Sequence, residues 1–105
     1  MSRTISRADL VGDESEAHFM ERVRKRARLL GWDDYHVHDS IAMRRGFPDL
    51  FLLRRDILIL AELKSQHGAV TQAQRDFLYK AAGVRSVQCR IWRPSDEPEI
   101  WSTLQ

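Results

Sequence analysis

Cysteine is nearly absent from this chain. Cys89 is the only one, which excludes an internal disulfide and any metal site built from several cysteines. Long apolar runs are missing as well. No stretch approaches the roughly 20 consecutive apolar residues that a membrane span needs. The opening MSRTISRADL lacks the apolar segment of a signal peptide, and a reducing, cytoplasmic setting is the expectation. There are no internal repeats, no low-complexity tracts and no linker-like stretches. Charge of one sign is not in great excess either: the net charge is +2 and the isoelectric point is about 9.0. What is present, 43% hydrophobic and 30% charged residues over 105 positions, is the composition of one ordinary globular domain. A domain of this size buries only part of its surface, and a dimer partner would help it.

Residues 1–12 are polar and read as loosely held, with a single domain over 13–105. Asp13 to Leu30 has the spacing of a helix. Asp13 or Ser15 can cap it and Gly31 stops it, with Phe19 or Met20, Val23, Ala27 and Leu30 as the buried stripe. Tyr35–His38, Asp49–Leu53 and Ile57–Leu63 read as strands, the last two joined as a hairpin through Arg54, Arg55 and Asp56. Thr71 to Ala82 reads as a second helix, because Thr71 and Gln74 have capping-box spacing and Gly83 follows. Ser86–Trp92 alternates as a strand, Pro94 closes it, and Glu97–Leu104 can form a final helical turn or two. The order α-β-β-β-α-β-α implies an α/β domain with one mixed sheet of about four strands and flanking helices.

The chemistry is concentrated at the ends of two strands. The apolar run Ile57–Ala61 leads into Glu62-Leu63-Lys64, so a carboxylate and an ammonium share one strand face. The preceding strand opens with Gly46-Phe47-Pro48-Asp49. If Leu53 faces Ile57, Asp49 lies opposite Ala61 and Glu62 points to the other face. If Leu53 faces Leu58, through a longer turn or a bulge, Asp49 lies opposite Glu62. The residues leave both registers open. In the second, two converging carboxylates form an all-oxygen site suited to Mg²⁺ or Mn²⁺, with Lys64 free to hold a water or an anion.

Pro48-Asp49 followed by Glu62-Leu63-Lys64 resembles the PD-(D/E)xK nuclease superfamily. G-F-P-D-L, A-E-L-K, Gly68, Thr71-x-x-Gln74 at a helix start and a strand ending I-W-R-P-S-D are together similar to its VRR-NUC branch, over about Ser15 to Asp96. Small phage and bacterial proteins of that branch are of similar size, which would make the setting a host cytoplasm if the chain is phage-encoded. The resemblance implies a restriction-endonuclease-like core and favours the register that joins Asp49 to Glu62. It also implies a Mg²⁺- or Mn²⁺-dependent DNA endonuclease, acting on branched DNA such as a Holliday junction or flap, as a homodimer. By that likeness Asp49 and Glu62 bind metal, the Leu63 carbonyl is a further ligand, Lys64 is catalytic, and Gln74 lies close to the site.

The likeness also calls for a glutamate from the first helix. Helical spacing selects Glu16, on the stripe with Phe19 and Met20, with Glu14 as the reserve; Glu21 falls on the polar face with Arg24, Lys25 and Arg28. Arg44 and Arg45 precede the motif as phosphate contacts, and His38 and Ser40 lead toward it as DNA contacts. His36 and His38 lack a third ligand for zinc at convincing spacing. Trp32, Trp92 and Trp101 read as packing residues. Arg22, Arg24, Lys25, Arg26, Arg28, Arg54 and Arg55 suit either a polyanion or a solvated surface. The alternatives to an enzyme are a non-cleaving DNA-binding module and a structural subunit on the same fold.

Overall fold

A computed structural model describes residues 14–37 and 45–105. Helix α1, Glu16–Leu29, starts at Ser15, whose hydroxyl accepts the His18 N–H at 3.1 Å. It buries Phe19, Met20, Val23 and Ala27, the stripe expected from their spacing, and Leu30 packs against the same cluster partly buried. The alternative cap, Asp13, and the segment 1–12 lie outside the described residues.

Four strands follow: β1, Asp33–His36; β2, Leu50–Arg54; β3, Ile57–Leu63; and β4, Val87–Trp92. They stand in the order β1-β2-β3-β4, the first three antiparallel and the last parallel to β3. The parallel pair requires a crossover, supplied by helix α2, Gln72–Ala81. A 3₁₀ turn, Pro94–Asp96, leads into helix α3, Glu97–Leu104. Among the described residues the chain is therefore α/β, with one mixed four-stranded sheet and three α-helices, as its patterning predicts.

Alternation along the strands divides the sheet into two faces. Leu50 and Leu52 of β2, Ile59, Ala61 and Leu63 of β3, and Trp92 of β4 turn toward α1 and α3. With Phe19, Val23, Ile100 and Leu104 they form the core. Each such side chain contributes about 1.5–3 kcal/mol of burial. The opposite face carries Asp49, Phe51, Leu60 and Glu62. There α2 docks through Phe77, which meets Phe47 edge-on, while Phe47 stacks on Phe51. No helix among the described residues is long and apolar enough to cross a membrane.

Several boundaries differ from the sequence reading. The first strand begins at Asp33, two residues early, and pairs Asp33 with Leu53. Asp34 is tolerated inside it because Arg24 and Arg28 of α1 both bind its carboxylate, at 2.6 and 2.8 Å. The hairpin turn is Arg55-Asp56 alone; Arg54 belongs to β2 and pairs with Ile57. Leu53 faces Leu58 in this tight connection, with Arg55 at φ 57°, so neither a longer turn nor a bulge is needed. Arg54 is held inside the fold. Its guanidinium lies 4.3 Å from the Trp32 ring centre and donates to the carbonyls of Leu30 and Leu104. Trp32 and Trp92 are buried and Trp101 packs at the edge of the core, in the packing role expected of all three.

Candidate metal centre

Strand pairing sets the first two acids side by side. Leu50 faces Ala61, so the next step outward brings Asp49 to Glu62. The chain reaches Asp49 through a constrained entry. Gly46 has φ +88°, and a Cβ there would lie 2.2 Å from the Ala73 carbonyl oxygen, so only glycine lets this segment cross the first turn of α2. Pro48, fully buried, fixes the next step. Asp49 Oδ1 then accepts the Leu63 N–H at 3.2 Å.

That bond also orients the Leu63 carbonyl. Lys64 N–H turns the other way, to the Trp92 carbonyl at 3.0 Å. Across a planar trans peptide the Leu63 C=O must point opposite to it, away from β4 and toward the Asp49 side. The backbone oxygen named from the family likeness thus lies on the β2 side of β3.

Glu62 is 4% exposed. Its Oε1 accepts from Gln74 Nε2 at 2.9 Å and lies 3.6 Å from Lys64 Nζ. Its Oε2 is buried with no hydrogen-bond partner. Gln74 serves two ends at once: its Oε1 accepts the Thr71 N–H in the capping box, and its Nε2 holds Glu62. Glu16, exposed on the first turn of α1, completes the group. Glu16, Asp49 and Glu62 each present a carboxylate oxygen within 4.8 Å of the other two. The reserve candidate Glu14 is engaged elsewhere, by Arg22 at 2.7 and 2.8 Å and by His18.

Electrostatics make this cluster unfavourable as it stands. Two unit charges 4.8 Å apart repel by about 3 kcal/mol at an effective dielectric near 20. Burial, then the Asp49 charge, pushes Glu62 up to about 7. Burial chiefly pushes Asp49 up to about 6, against the bond from Leu63 N–H. A bound cation would reverse both effects. The donor set is all oxygen and includes an orphaned buried carboxylate oxygen. Oxygens held at ~2.0–2.1 Å from one ion lie roughly 3–4 Å apart, so a pair at the 4.8 Å limit would close by about 1–2 Å on binding. These residues form a group able to hold a hard cation.

The remaining site residues divide. Lys64 and Gln74 stand at the acids as expected. Arg45 is described and exposed but belongs to a neighbouring groove rather than to the acid cluster. His38, Ser40 and Arg44 lie outside the described residues. Of the basic cluster on α1, Arg22, Arg24 and Arg28 are ion-paired within the fold and Arg26 lies 5.1 Å from the Trp101 ring centre. Neither expected role, polyanion binding or a merely solvated surface, describes these contacts within the fold.

One contributor was not singled out from the sequence. Arg93 Nη1 donates to the carbonyls of Ser65, Gln66 and Gly68, and Gln66 pairs with Ser95 through Nε2 and Oε1. Together they brace the loop that leaves Lys64. Arg93 directly follows Trp92, the strand partner of Leu63; the only signal was its place in I-W-R-P-S-D. No protein-family model, no curated protein and no solved structure matches this chain.

Proposed function

We propose that the protein is a Mg²⁺- or Mn²⁺-dependent DNA endonuclease with a restriction-endonuclease-like core of the VRR-NUC kind. The observation that carries this reading is the meeting of Glu16, Asp49 and Glu62 from three separate elements, with Lys64 and Gln74 on the same carboxylate. A bound divalent ion would polarise a phosphodiester and acidify a water. Glu16, Asp49, Glu62 and the Leu63 carbonyl would hold it. Lys64, 13% exposed at the edge of the cluster, would orient the attacking water or offset charge building on the phosphate. Gln74 would keep Glu62 in one rotamer by donating to Oε1.

Two-site action on branched DNA requires a homodimer, which is part of this proposal. A non-cleaving DNA module is the weaker reading, because Arg22, Arg24, Arg28 and Arg54 are consumed by internal contacts and an acid cluster repels phosphate. The test is cleavage of end-labelled duplex, flap and four-way-junction DNA with Mn²⁺ or with EDTA, alongside Mn²⁺ titration calorimetry. Cleavage and heat should both depend on the acids. Asp49→Ala should lose activity by at least about 10³-fold, the several kcal/mol a metal supplies. Asp49→Asn, which can still accept from Leu63 N–H, should fold as wild type and fail equally. Undiminished cutting by either variant, or no Mn²⁺ binding by the wild type, overturns the assignment.

A further inference from the structure

Beside the acid cluster lies an open groove of about 720 Å³, within the ~300–1,000 Å³ of small-ligand sites. Its floor is aromatic and aliphatic: Phe47, Phe77 and Val84. Arg45 and Lys80, both exposed, stand on its rim with Asp76, whose carboxylate accepts from Gln72 Nε2 at 2.8 Å. Neither cation has an ion-pair partner among the described residues.

The groove adjoins the proposed site. Phe47 precedes Asp49 by two residues, so their Cα atoms lie within about 7 Å. On the other wall Ala73 adjoins Gln74, which holds Glu62. Gly46 fits against Ala73 with no room for a Cβ, which fixes the two walls relative to each other. A flat apolar ligand with an anion on either side matches this lining. A nucleobase has that shape, and base–aromatic stacking is tolerant of sequence.

We propose that the groove receives one unstacked nucleobase of the DNA strand whose phosphate lies at Asp49 and Glu62, with flanking phosphates at Arg45 and Lys80. This rests on the nuclease reading and names its substrate class. A paired base inside a duplex cannot present its face to Phe47 and Phe77, so DNA with an unpaired nucleotide at the cut, such as a flap, is preferred to intact duplex.

The test is binding of fluorescein-labelled flap DNA in Ca²⁺, which takes the same oxygen ligands, with single abasic replacements scanned across the branch point. One position should stand out with a loss of about five-fold to a hundred-fold in affinity, the range of base–aromatic stacking. In Phe77→Leu that position should no longer stand out, and Lys80→Glu should weaken flap binding while lowering the melting temperature by only a few degrees, the cost of a negative charge in the last turn of α2. If Phe77→Leu does not fold, the wild-type scan and Lys80→Glu decide. A scan in which every abasic site costs under about two-fold, or a Lys80→Glu protein that binds as wild type, overturns the groove. So do groove variants that alter self-association but not DNA binding. Mn²⁺-dependent cutting with a flat scan removes the groove and leaves the nuclease reading. A sharp scan without cutting does the reverse.

Discussion

Glu62→Gln should make the metal-free protein more stable while removing its activity. The Glu62 carboxyl is buried, carries an orphaned Oε2, and has its pKa raised from 4.5 to about 7, first by burial and then by Asp49. A raised acid favours folding while it is protonated. Below its unfolded pKa it is neutral in both states and imposes no charge cost. As pH climbs from 4.5 through about 7 the folded state must accept a charge it disfavours, and stability falls. Above that window the full difference applies, about 3 kcal/mol. Glutamine removes the charge and keeps an oxygen for Gln74. Its nitrogen then stands where the buried, unpartnered Oε2 was, and an uncharged amide is less costly there than a charge. Allowing for an imperfect amide geometry, the gain at pH 8 should be about 1–3 kcal/mol, or roughly 5–15 °C in Tm.

The assay is thermal unfolding by circular dichroism in EDTA at pH 8 and pH 5. The variant should exceed wild type clearly at pH 8 and by under about 1 kcal/mol at pH 5, where the folded wild type is mostly protonated. Added Mn²⁺ at pH 8 should raise only the wild type, by about 2.7 kcal/mol at a hundred times its Kd. A variant that is destabilised, or shifted equally at both pH values, refutes the reasoning. It would mean that Lys64 at 3.6 Å compensates the Glu62 charge fully.

Four further outcomes follow from contacts around the cluster. Gly46→Ala must move the Asp49 entry away from Ala73 and should cost more than about 2 kcal/mol in urea unfolding; a change within 0.5 kcal/mol, roughly the surface background, contradicts it. Gln74→Ala should lose about 1–2 kcal/mol through the capping box and the Glu62 bond together. Gln74→Glu keeps the capping oxygen but sets a fourth carboxylate against Glu62, so calorimetry should show its Mn²⁺ binding shifted to higher pH. Arg93→Ala releases the carbonyls of Ser65, Gln66 and Gly68 and should cost about 1–3 kcal/mol. Amide exchange should quicken at residues 64–68 and remain unchanged in α1.

What could be read from the chain alone was what depends on near neighbours. The α1 stripe and the Thr71–Gln74 capping box each lie within one or two helical turns, and both stand as expected. Aspartate disfavours strands, and the strand expected from the sequence starts only at Tyr35. Asp33 and Asp34 join β1 because Arg24 and Arg28 arrive from another element to neutralise Asp34. The hairpin register stayed open for a similar reason. It turns on Arg55 taking a positive φ, uncommon outside glycine, while Arg54 is drawn into the strand by Trp32 and the Leu104 carbonyl. The arginines look alike in sequence, and only their distant partners separate those that brace the fold from those left at the surface. Arg93 escaped notice because its acceptors lie 25–28 residues away.

The acids are not drawn together by one another, since they repel; the core gathers them. Glu62 sits between Ala61 and Leu63, both fully buried, Asp49 directly precedes fully buried Leu50, and Glu16 lies one turn before Phe19 and Met20 on α1. Burial at about 1.5–3 kcal/mol per large apolar side chain outweighs a pairwise repulsion of about 3 kcal/mol, because several such side chains flank the three acids. The positions of the carboxylates are therefore consequences of packing on the α1–α3 face of the sheet, while Asp49 and Glu62 are presented on the α2 face. A substitution that loosened Leu50 or Leu63 would let the acids relax apart, relieving their repulsion and weakening cation binding without touching a ligand side chain.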